Sequence, residues 1–235
     1  MPKLYTFGDS FTYGYNFLPD EELRKRSTWP TKLSNLLDYE LVDLSIPGGS
    51  NWRIARLISS MNFESDCLVV IAFSTHKRFE FGVNQQHEIP EVFLENGVPL
   101  VGDLVEIDGK LLTKRFFPNL NERSTDIDAK IFSTIAFSEF FNAEWFSRMQ
   151  GVNFNSIRHR LQKHKWMAFN AWSKPFEPND YWLQETHIEN YVLGINGIMS
   201  EQVANTADDT FVYLNENQHT VVANILLKES NSIYG

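Results

Sequence analysis

The feature that most constrains the fold is an unbroken apolar run at residues 67–73, Cys-Leu-Val-Val-Ile-Ala-Phe. A run of this length without polar alternation is typical of a strand buried on both faces, and such strands occur in parallel sheets covered by helices. Strand patterns also occur at 3–7 and 39–44, and helical spacing at 28–37 and 51–61 separates the three strand patterns. The order strand, helix, strand, helix, strand predicts an α/β fold with a parallel sheet between helices.

The regular alternation is lost between residues 75 and 121. Residues 98–114 predict a β-hairpin, because Asp108-Gly109 supplies the positive φ angles that a tight turn needs. We therefore expect residues 75–121 to be an insertion that caps or edges the sheet, within a single domain spanning residues 1–235. The further predicted elements are helices at 127–149 and 153–165, a strand at 166–170, a loop at 173–181, a helix at 186–198 and a final amphipathic helix at 220–228.

The charge and the single cysteine limit the partners that we expect. A net charge of -9 and a pI near 5.2 argue against nucleic-acid binding, and the basic run at 158–165 reads more often as a solvated helix face than as a phosphate or acidic-partner patch. Cys67 has no partner for a disulfide, and its apolar neighbours predict a buried thiol. The absence of a secretory signal and of eighteen consecutive apolar residues predicts a cytoplasmic protein without a membrane partner, virion-associated if phage-encoded.

The strongest local motif is Gly8-Asp9-Ser10-Phe11-Thr12-Tyr13-Gly14, which follows the first strand. A glycine before the serine allows a sharp turn, and the turn places a hydroxyl at the carboxyl edge of a parallel sheet, where open α/β folds bind ligands. Ser10 is therefore a candidate nucleophile. The structural alternative, that Asp9 and Ser10 only cap a helix, is equally consistent with the motif taken alone.

A serine nucleophile needs a base, and the base needs a carboxylate that holds its tautomer. His219 lies at the start of the final amphipathic pattern and has a carboxylate three positions earlier, in Glu216-Asn217-Gln218-His219. In a loop this spacing would let Glu216 accept a hydrogen bond from Nδ1, which leaves Nε2 for Ser10. The alternative is a surface pair near a helix start, and the sequence favours that alternative when Ser10 is left aside.

The two motifs together resemble the SGNH/GDSL hydrolases. Gly8-Asp9-Ser10-Phe11-Thr12-Tyr13-Gly14 is similar to the first signature block of that family, and Glu216-Asn217-Gln218-His219 is similar to its closing acidic-x-x-His block. The resemblance implies a three-layer α/β/α sandwich resembling flavodoxin, which agrees with the fold read from the apolar patterns. It also implies that the serine attacks an acyl carbon, the histidine transfers the proton and the acidic residue orients the imidazole.

The resemblance also implies three donors to the oxyanion. The Ser10 N–H is one, and Ile46-Pro47-Gly48-Gly49-Ser50-Asn51 is similar to the block that supplies a glycine N–H, for which Gly48 is the first choice and Gly49 the second. The third block of the family, Gly-x-Asn-Asp, is replaced by Phe73-Ser74-Thr75-His76, so the Ser74 hydroxyl takes the place of the asparagine amide. Arg78 or Asn84 could compensate for that loss.

No metal or organic cofactor is expected. His159 and His164 are five residues apart, one more than the spacing that places two ligands on one helix face, and no acidic or cysteine partner accompanies them. The chain also has neither a phosphate-binding loop nor a Gly-x-Gly-x-x-Gly motif.

These features predict a serine esterase that works through a Ser10–His219–Glu216 triad and an acyl-enzyme. A small acyl group on a carbohydrate is the preferred substrate, since the family often removes such groups and the aromatic clusters at 137–146 and 166–172 suit sugar rings when they are not core. Two alternatives stay open: a catalytically weak or inactive carbohydrate-binding or structural module of the same fold, and transfer of the acyl group to an acceptor other than water.

Overall fold

The computed structural model describes the backbone at residues 1–74, 78–82, 94–95, 98–99, 105–107, 111–115, 143–171 and 213–235, with side chains at 1–74, 148–171 and 213–235. The strands are β1 (Lys3–Phe7), β2 (Glu40–Asp43), β3 (Leu68–Phe73), β4 (Arg78–Gly82), β5 (Leu94–Glu95), β6 (Val98–Pro99), β7 (Val105–Ile107), β8 (Leu111–Arg115) and β9 (Lys165–Asn170). The helices are α1 (Ser10–Tyr13), α2 (Glu21–Ser27), α3 (Trp29–Leu37), α4 (Asn51–Ser60), α5 (Ala143–Leu161) and α6 (Glu216–Tyr234), with a 3₁₀ turn at Tyr15–Phe17.

The main sheet has four parallel strands in the order β2-β1-β3-β9. The register sets Phe7 of β1 beside Ile71 of β3, and Phe73 of β3 beside Asn170 of β9. All four strands therefore end at the same edge, and the residues that follow them lie close together there.

Each face of the sheet is covered by two helices. Because alternate residues of β3 face opposite sides, these helices bury the strand along its whole length. One core lies between the sheet and helices α3 and α6, and the other lies between the sheet and helices α4 and α5. The first core contains Leu4, Trp29, Leu33, Leu68, Val70, Met167, Phe169, Val222 and Leu226, and the second contains Tyr5, Phe7, Ile54, Ile58, Val69, Ile71, Phe154, Ile157 and Ala168.

This arrangement confirms the predicted α/β fold and the four predicted strands of the sheet. Two helix predictions need correction. A single helix, α5, runs through Gly151 where two helices separated at 150–152 were expected, and α6 begins at Glu216 and ends at Tyr234, well outside the predicted 220–228. Helix α2 was not predicted, although Asp20 caps it by accepting a hydrogen bond from the Leu23 N–H at 2.9 Å.

The hairpin predicted at 98–114 contains fewer residues than expected. Strand β7 pairs antiparallel with β8, with Ile107 opposite Leu111 on either side of the predicted turn, whereas β6 pairs with β5. Strand β4 also pairs with β8, which makes a three-stranded sheet. The Asp108-Gly109 turn itself, the residues 127–142, the loop at 173–181 and the helix at 186–198 lie outside the described residues.

Several smaller expectations concern burial. Cys67 is buried, and Arg158, His159 and Arg160 are exposed in the last turn of α5. Trp166 is 5% exposed and packs near Phe154, with ring centroids 6.3 Å apart, so it belongs to the core and is not a platform for a sugar. Among the described residues, no helix has the length and apolar character needed to cross a membrane.

Truncations on the two faces of β3 test the three-layer arrangement. Leu68 faces the core under α3 and α6, and Ile71 faces the core under α4 and α5. We expect Leu68→Ala and Ile71→Ala each to lower the free energy of unfolding by about 2–5 kcal/mol, because each leaves a cavity in a different core. Leu36→Ala, at a residue that is 50% exposed, is the control and should change it far less. Denaturant unfolding would measure all three, and a near-neutral result for either β3 variant would contradict the buried layer on that face.

Candidate active site

Ser10 lies at the carboxyl edge of the sheet, as the first residue of α1, three residues after β1 ends. Asp9 caps the helix, since its Oδ1 accepts a hydrogen bond from the Phe11 N–H at 3.0 Å, so the capping role belongs to Asp9 and leaves Ser10 free of it. Gly8 is required by close packing, because a Cβ atom there would lie 2.1 Å from Thr12 Oγ1. The Ser10 side chain is 5% exposed.

Ser74 follows β3 at the same edge and contacts the turn that carries Ser10. Its hydroxyl donates to Asp9 Oδ2 at 2.8 Å. A serine hydroxyl has one proton, so in this structure the proton that was predicted to stabilise an oxyanion is directed at the carboxylate of Asp9. The predicted role of Ser74 as an oxyanion donor is therefore not the role seen in this structure.

The glycine-containing loop after β2 packs against the same turn. The Ile46 N–H donates to the Gly8 carbonyl at 3.3 Å, and a Cβ atom on Gly49 would lie 3.0 Å from that carbonyl oxygen. Gly48 has a φ of 73°, in the left-handed region that favours glycine. Within the described part of the chain, no backbone carbonyl accepts a hydrogen bond from the Gly48 N–H.

His219 lies on the first turn of α6 and is fully buried. Its ring packs beside those of Phe11 and Phe17, with centroids 6.2 and 5.5 Å away. The segment before α6 is tied to the same region, because Asn16 Nδ2 donates to the Leu214 carbonyl at 2.8 Å. The fold therefore places His219 beside Phe11, the residue that follows Ser10.

The contacts of the imidazole differ from those predicted. His219 Nδ1 accepts a hydrogen bond from the Trp29 N–H at 3.1 Å. A backbone N–H can only donate, so Nδ1 is unprotonated and the neutral ring carries its proton on Nε2. Nε2 is buried and has no hydrogen-bond partner among the described residues, and no hydrogen bond joins the ring to the Ser10 hydroxyl.

Glu216 does not contact His219 Nδ1 as predicted, and its carboxylate lies 3.3 Å from Lys32 Nζ. The prediction assumed a loop, whereas Asn215 and Gln218 form a capping box that begins α6 at Glu216. On a helix, the Cα–Cβ bonds tilt toward the N-terminus, so the Glu216 side chain leans away from a residue one turn later. Lys32 on the adjacent helix α3 then pairs with it at the surface.

The Trp29 contact has a clear structural use. Trp29 is the first residue of α3, the Thr28 hydroxyl pairs with that of Thr31 and caps no helix N–H, and Pro30 has no N–H. The His219 ring therefore accepts from a helix N-terminal N–H that would otherwise be buried without a partner, and it joins α6 to α3. Burial, and after it the positive charge of Lys32, lowers the pKa of His219 to about 3.

The remaining predicted site residues are only partly described. Arg78 begins β4, but its side chain lies outside the described part of the chain, as does all of Asn84. Among the described residues, no group of three or more His, Cys, Asp or Glu side chains is placed to hold a metal ion. Sequence reasoning did not single out Trp29, whose backbone N–H binds the His219 ring.

Comparison with known proteins finds likeness in fold alone. No family model matches the chain, and no curated protein matches it. The psychrotrophic esterase EstA from Pseudoalteromonas sp. superposes with a TM-score of 0.48 at 9% identity, covering 99% of this chain and 98% of that one. The acetyl xylan esterase AlAXEase gives 0.47 at 12% identity over 96% and 98%, and a protein described as lipolytic and of the G-D-S-L family, from Desulfitobacterium hafniense DCB-2, gives 0.42 at 11% over 97% and 99%.

The buried neutral imidazole makes stability depend on pH in a defined window. The pKa of His219 is lower in the folded chain than the ordinary value of 6.5, so below pH 6.5 the unfolded chain binds a proton that the folded chain refuses. The contribution of the neutral His219 ring to stability is complete above pH 6.5 and is lost as the pH falls toward 3. We expect the free energy of unfolding of the wild type to fall by about 1.4 kcal/mol more than that of His219→Asn between pH 5.5 and 4.5.

Asparagine suits this measurement because its side-chain oxygen can still accept from the Trp29 N–H. The control is His159→Asn, since His159 is exposed on α5. Urea unfolding at both pH values would give the four free energies needed for each pair. If His219→Asn and the wild type lost stability in parallel, the imidazole would not be held neutral in the folded protein.

Proposed function

We propose that the protein is a serine hydrolase of carboxylic esters, with Ser10 as its nucleophile. The observation that carries the proposal is the placement of Ser10 in a Gly-Asp-Ser turn after β1, next to Phe11, whose ring centroid lies 6.2 Å from that of His219. The resemblance of both motifs to SGNH/GDSL hydrolases supports it from the sequence. The structure supports the proposal through Asp9, whose buried carboxylate caps α1 and so fixes the backbone that carries the Ser10 hydroxyl.

The proposed reaction has two halves. Ser10 Oγ attacks the carbonyl carbon of the ester while His219 Nε2 takes the hydroxyl proton, and the tetrahedral intermediate collapses as His219 returns the proton to the departing alcohol. A water molecule then attacks the acyl-Ser10 ester with the same proton transfers, which releases the acid and restores Ser10. The N–H groups of Ser10 and Gly48 would donate to the oxyanion, and Gly48 has an N–H that is not used by a described carbonyl.

His219 needs a different set of contacts to act as this base. Nε2 must be unprotonated to accept from Ser10, so the proton must move to Nδ1 and the Trp29 N–H must lose its acceptor. The Nδ1 proton then needs an acceptor, and for Glu216 to supply it the carboxylate must leave Lys32 and the first turn of α6 must open, because on the helix its side chain leans away from His219. The described arrangement is therefore a resting state in this proposal, and substrate binding supplies the energy for the change.

A short acyl group suits the proposed site better than a long one. The Ser10 side chain is 5% exposed, and Phe11 and Phe17 pack against the His219 ring. The low exposure of the nucleophile and the aromatic rings beside the proposed base favour a short acyl chain. Acyl groups on a carbohydrate are our preferred substrate class within that limit.

A fluorophosphonate probe tests the nucleophile directly, because it forms a covalent adduct with an activated serine. We expect the wild type to be labelled at Ser10, Ser10→Ala to be unlabelled, and the same substitution to abolish hydrolysis of p-nitrophenyl acetate. Peptide mapping by mass spectrometry identifies the site. Ser230→Ala, at another buried serine on α6, is the control and should be labelled like the wild type. Equal hydrolysis by wild type and Ser10→Ala would end the assignment.

Glu216 tests the active arrangement. If Glu216 orients the imidazole, Glu216→Gln should lower kcat by roughly 100-fold or more with little change in KM, because Nδ1 loses a charged acceptor. If Glu216 only pairs with Lys32 at the surface, the rate should change little. Glu22→Gln is the matched control, since Glu22 forms a similar exposed pair with Lys25. A wild-type rate for Glu216→Gln would remove Glu216 from the triad.

One observation favours a second candidate, a non-catalytic carbohydrate-binding or structural module. The hydrogen bond from Trp29 N–H to His219 Nδ1 gives the histidine a structural role that does not involve Ser10. This candidate predicts no fluorophosphonate labelling of the folded wild type, together with measurable binding of a sugar ligand. The esterase proposal predicts the opposite labelling result.

A further inference from the structure

Four buried polar side chains form a connected network behind the turn that carries Ser10. They come from four separate places in the chain: Asp9 before α1, Asn51 at the start of α4, Ser74 after β3, and Gln150 on α5. All four are at most 3% exposed. Burial of so many polar groups is unfavourable unless they are hydrogen-bonded to one another, so their arrangement has a strong effect on the local geometry.

The links of the network are short and directional. Asn51 brackets the Ser74 backbone, because its Nδ2 donates to the Ser74 carbonyl at 2.9 Å and its Oδ1 accepts from the Ser74 N–H at 2.8 Å. Asn51 Nδ2 also donates to Gln150 Oε1 at 2.9 Å. Ser74 then donates its hydroxyl proton to Asp9 Oδ2 at 2.8 Å.

The network ends on the helix that begins with Ser10. Asp9 uses Oδ1 to accept from the Phe11 N–H and Oδ2 to accept from Ser74, so both carboxylate oxygens are held. A carboxylate fixed at both oxygens cannot rotate without breaking a buried hydrogen bond. The first turn of α1, and with it the direction of the Ser10 side chain, is therefore tied to the end of β3.

We propose that Ser74 and Asn51 are positioning residues that hold Ser10 in its reactive geometry through Asp9. The inference rests on the proposed function, because it assigns these residues to the same site. Ser74 acts on the nucleophile and not on the oxyanion, since its one proton is donated to Asp9. Asn51 acts one step further away by fixing both backbone polar groups of Ser74.

The test measures reactivity and local structure in the same variants of the full chain. In Ser74→Ala, we expect roughly 10- to 100-fold slower fluorophosphonate labelling of Ser10 and a similar loss of kcat for p-nitrophenyl acetate, with KM little changed. We also expect faster hydrogen exchange at the Phe11 amide, observed by NMR, because the Asp9 cap is no longer held. Ser74→Thr keeps the hydroxyl and should restore both properties toward wild-type values.

Asn51→Ala should also slow the labelling of Ser10 and speed exchange at the Phe11 amide, as Ser74→Ala does. Asn51 is not one of the predicted oxyanion donors, so such a result could not come from a lost oxyanion contact. Ser230→Ala is the control for loss of a buried hydroxyl and should change neither measurement. Should Asn51→Ala fail to fold, the Ser74 pair decides the question.

The outcomes separate the inference from the proposed function. Slower labelling in Ser74→Ala with unchanged exchange at the Phe11 amide would mean that Ser74 acts on the oxyanion, which overturns the positioning role and leaves the esterase intact. Wild-type labelling in both Ser74→Ala and Asn51→Ala would also overturn it. A wild type that is not labelled at Ser10 overturns the proposed function itself, and the positioning role falls with it.

Discussion

The position of every group at the candidate site depends on β3, which has a parallel neighbour on each edge and a core on each face. Its register with β1 sets Ile71 beside Phe7, so Ser74 emerges close to the turn that contains Asp9. A shift of one residue would move every β3 side chain to the opposite face, which both apolar cores oppose. The hydrophobic packing therefore fixes the polar contact of Ser74 with Asp9 indirectly.

The fold was predictable where local patterns agree with burial. The apolar run around β3 has no polar residue to accommodate, and the strand and helix periods on either side of it are clear. Helix ends were less accurate. Asn215 and Gln218 form a capping box that is visible in the sequence, yet the apolar spacing suggested a later start to α6. Helix α5 passes through Gly151 because the packing of Phe154, Ile157 and Leu161 outweighs the roughly 1 kcal/mol that a glycine costs a helix.

The sequence marks the candidate site residues but not their contacts. Ser10 and His219 could be chosen because a motif and a helix start mark them. The partner of His219 is a backbone N–H located 190 residues away, and a backbone group carries no mark in the sequence. The role of Ser74 was equally hidden, because a hydroxyl can donate to an oxyanion or to Asp9, and only the register of β3 and β1 decides between them.

The two uses of the His219 ring exclude each other in any one state. A neutral imidazole has one proton and one lone pair, and the Trp29 N–H occupies the lone pair at Nδ1, so the same ring cannot also accept a proton from Ser10 at Nε2. Releasing Trp29 leaves a buried N–H without an acceptor, which costs about 1–3 kcal/mol. In the proposed reaction, a bound ester must therefore offset at least this cost when it favours the active tautomer.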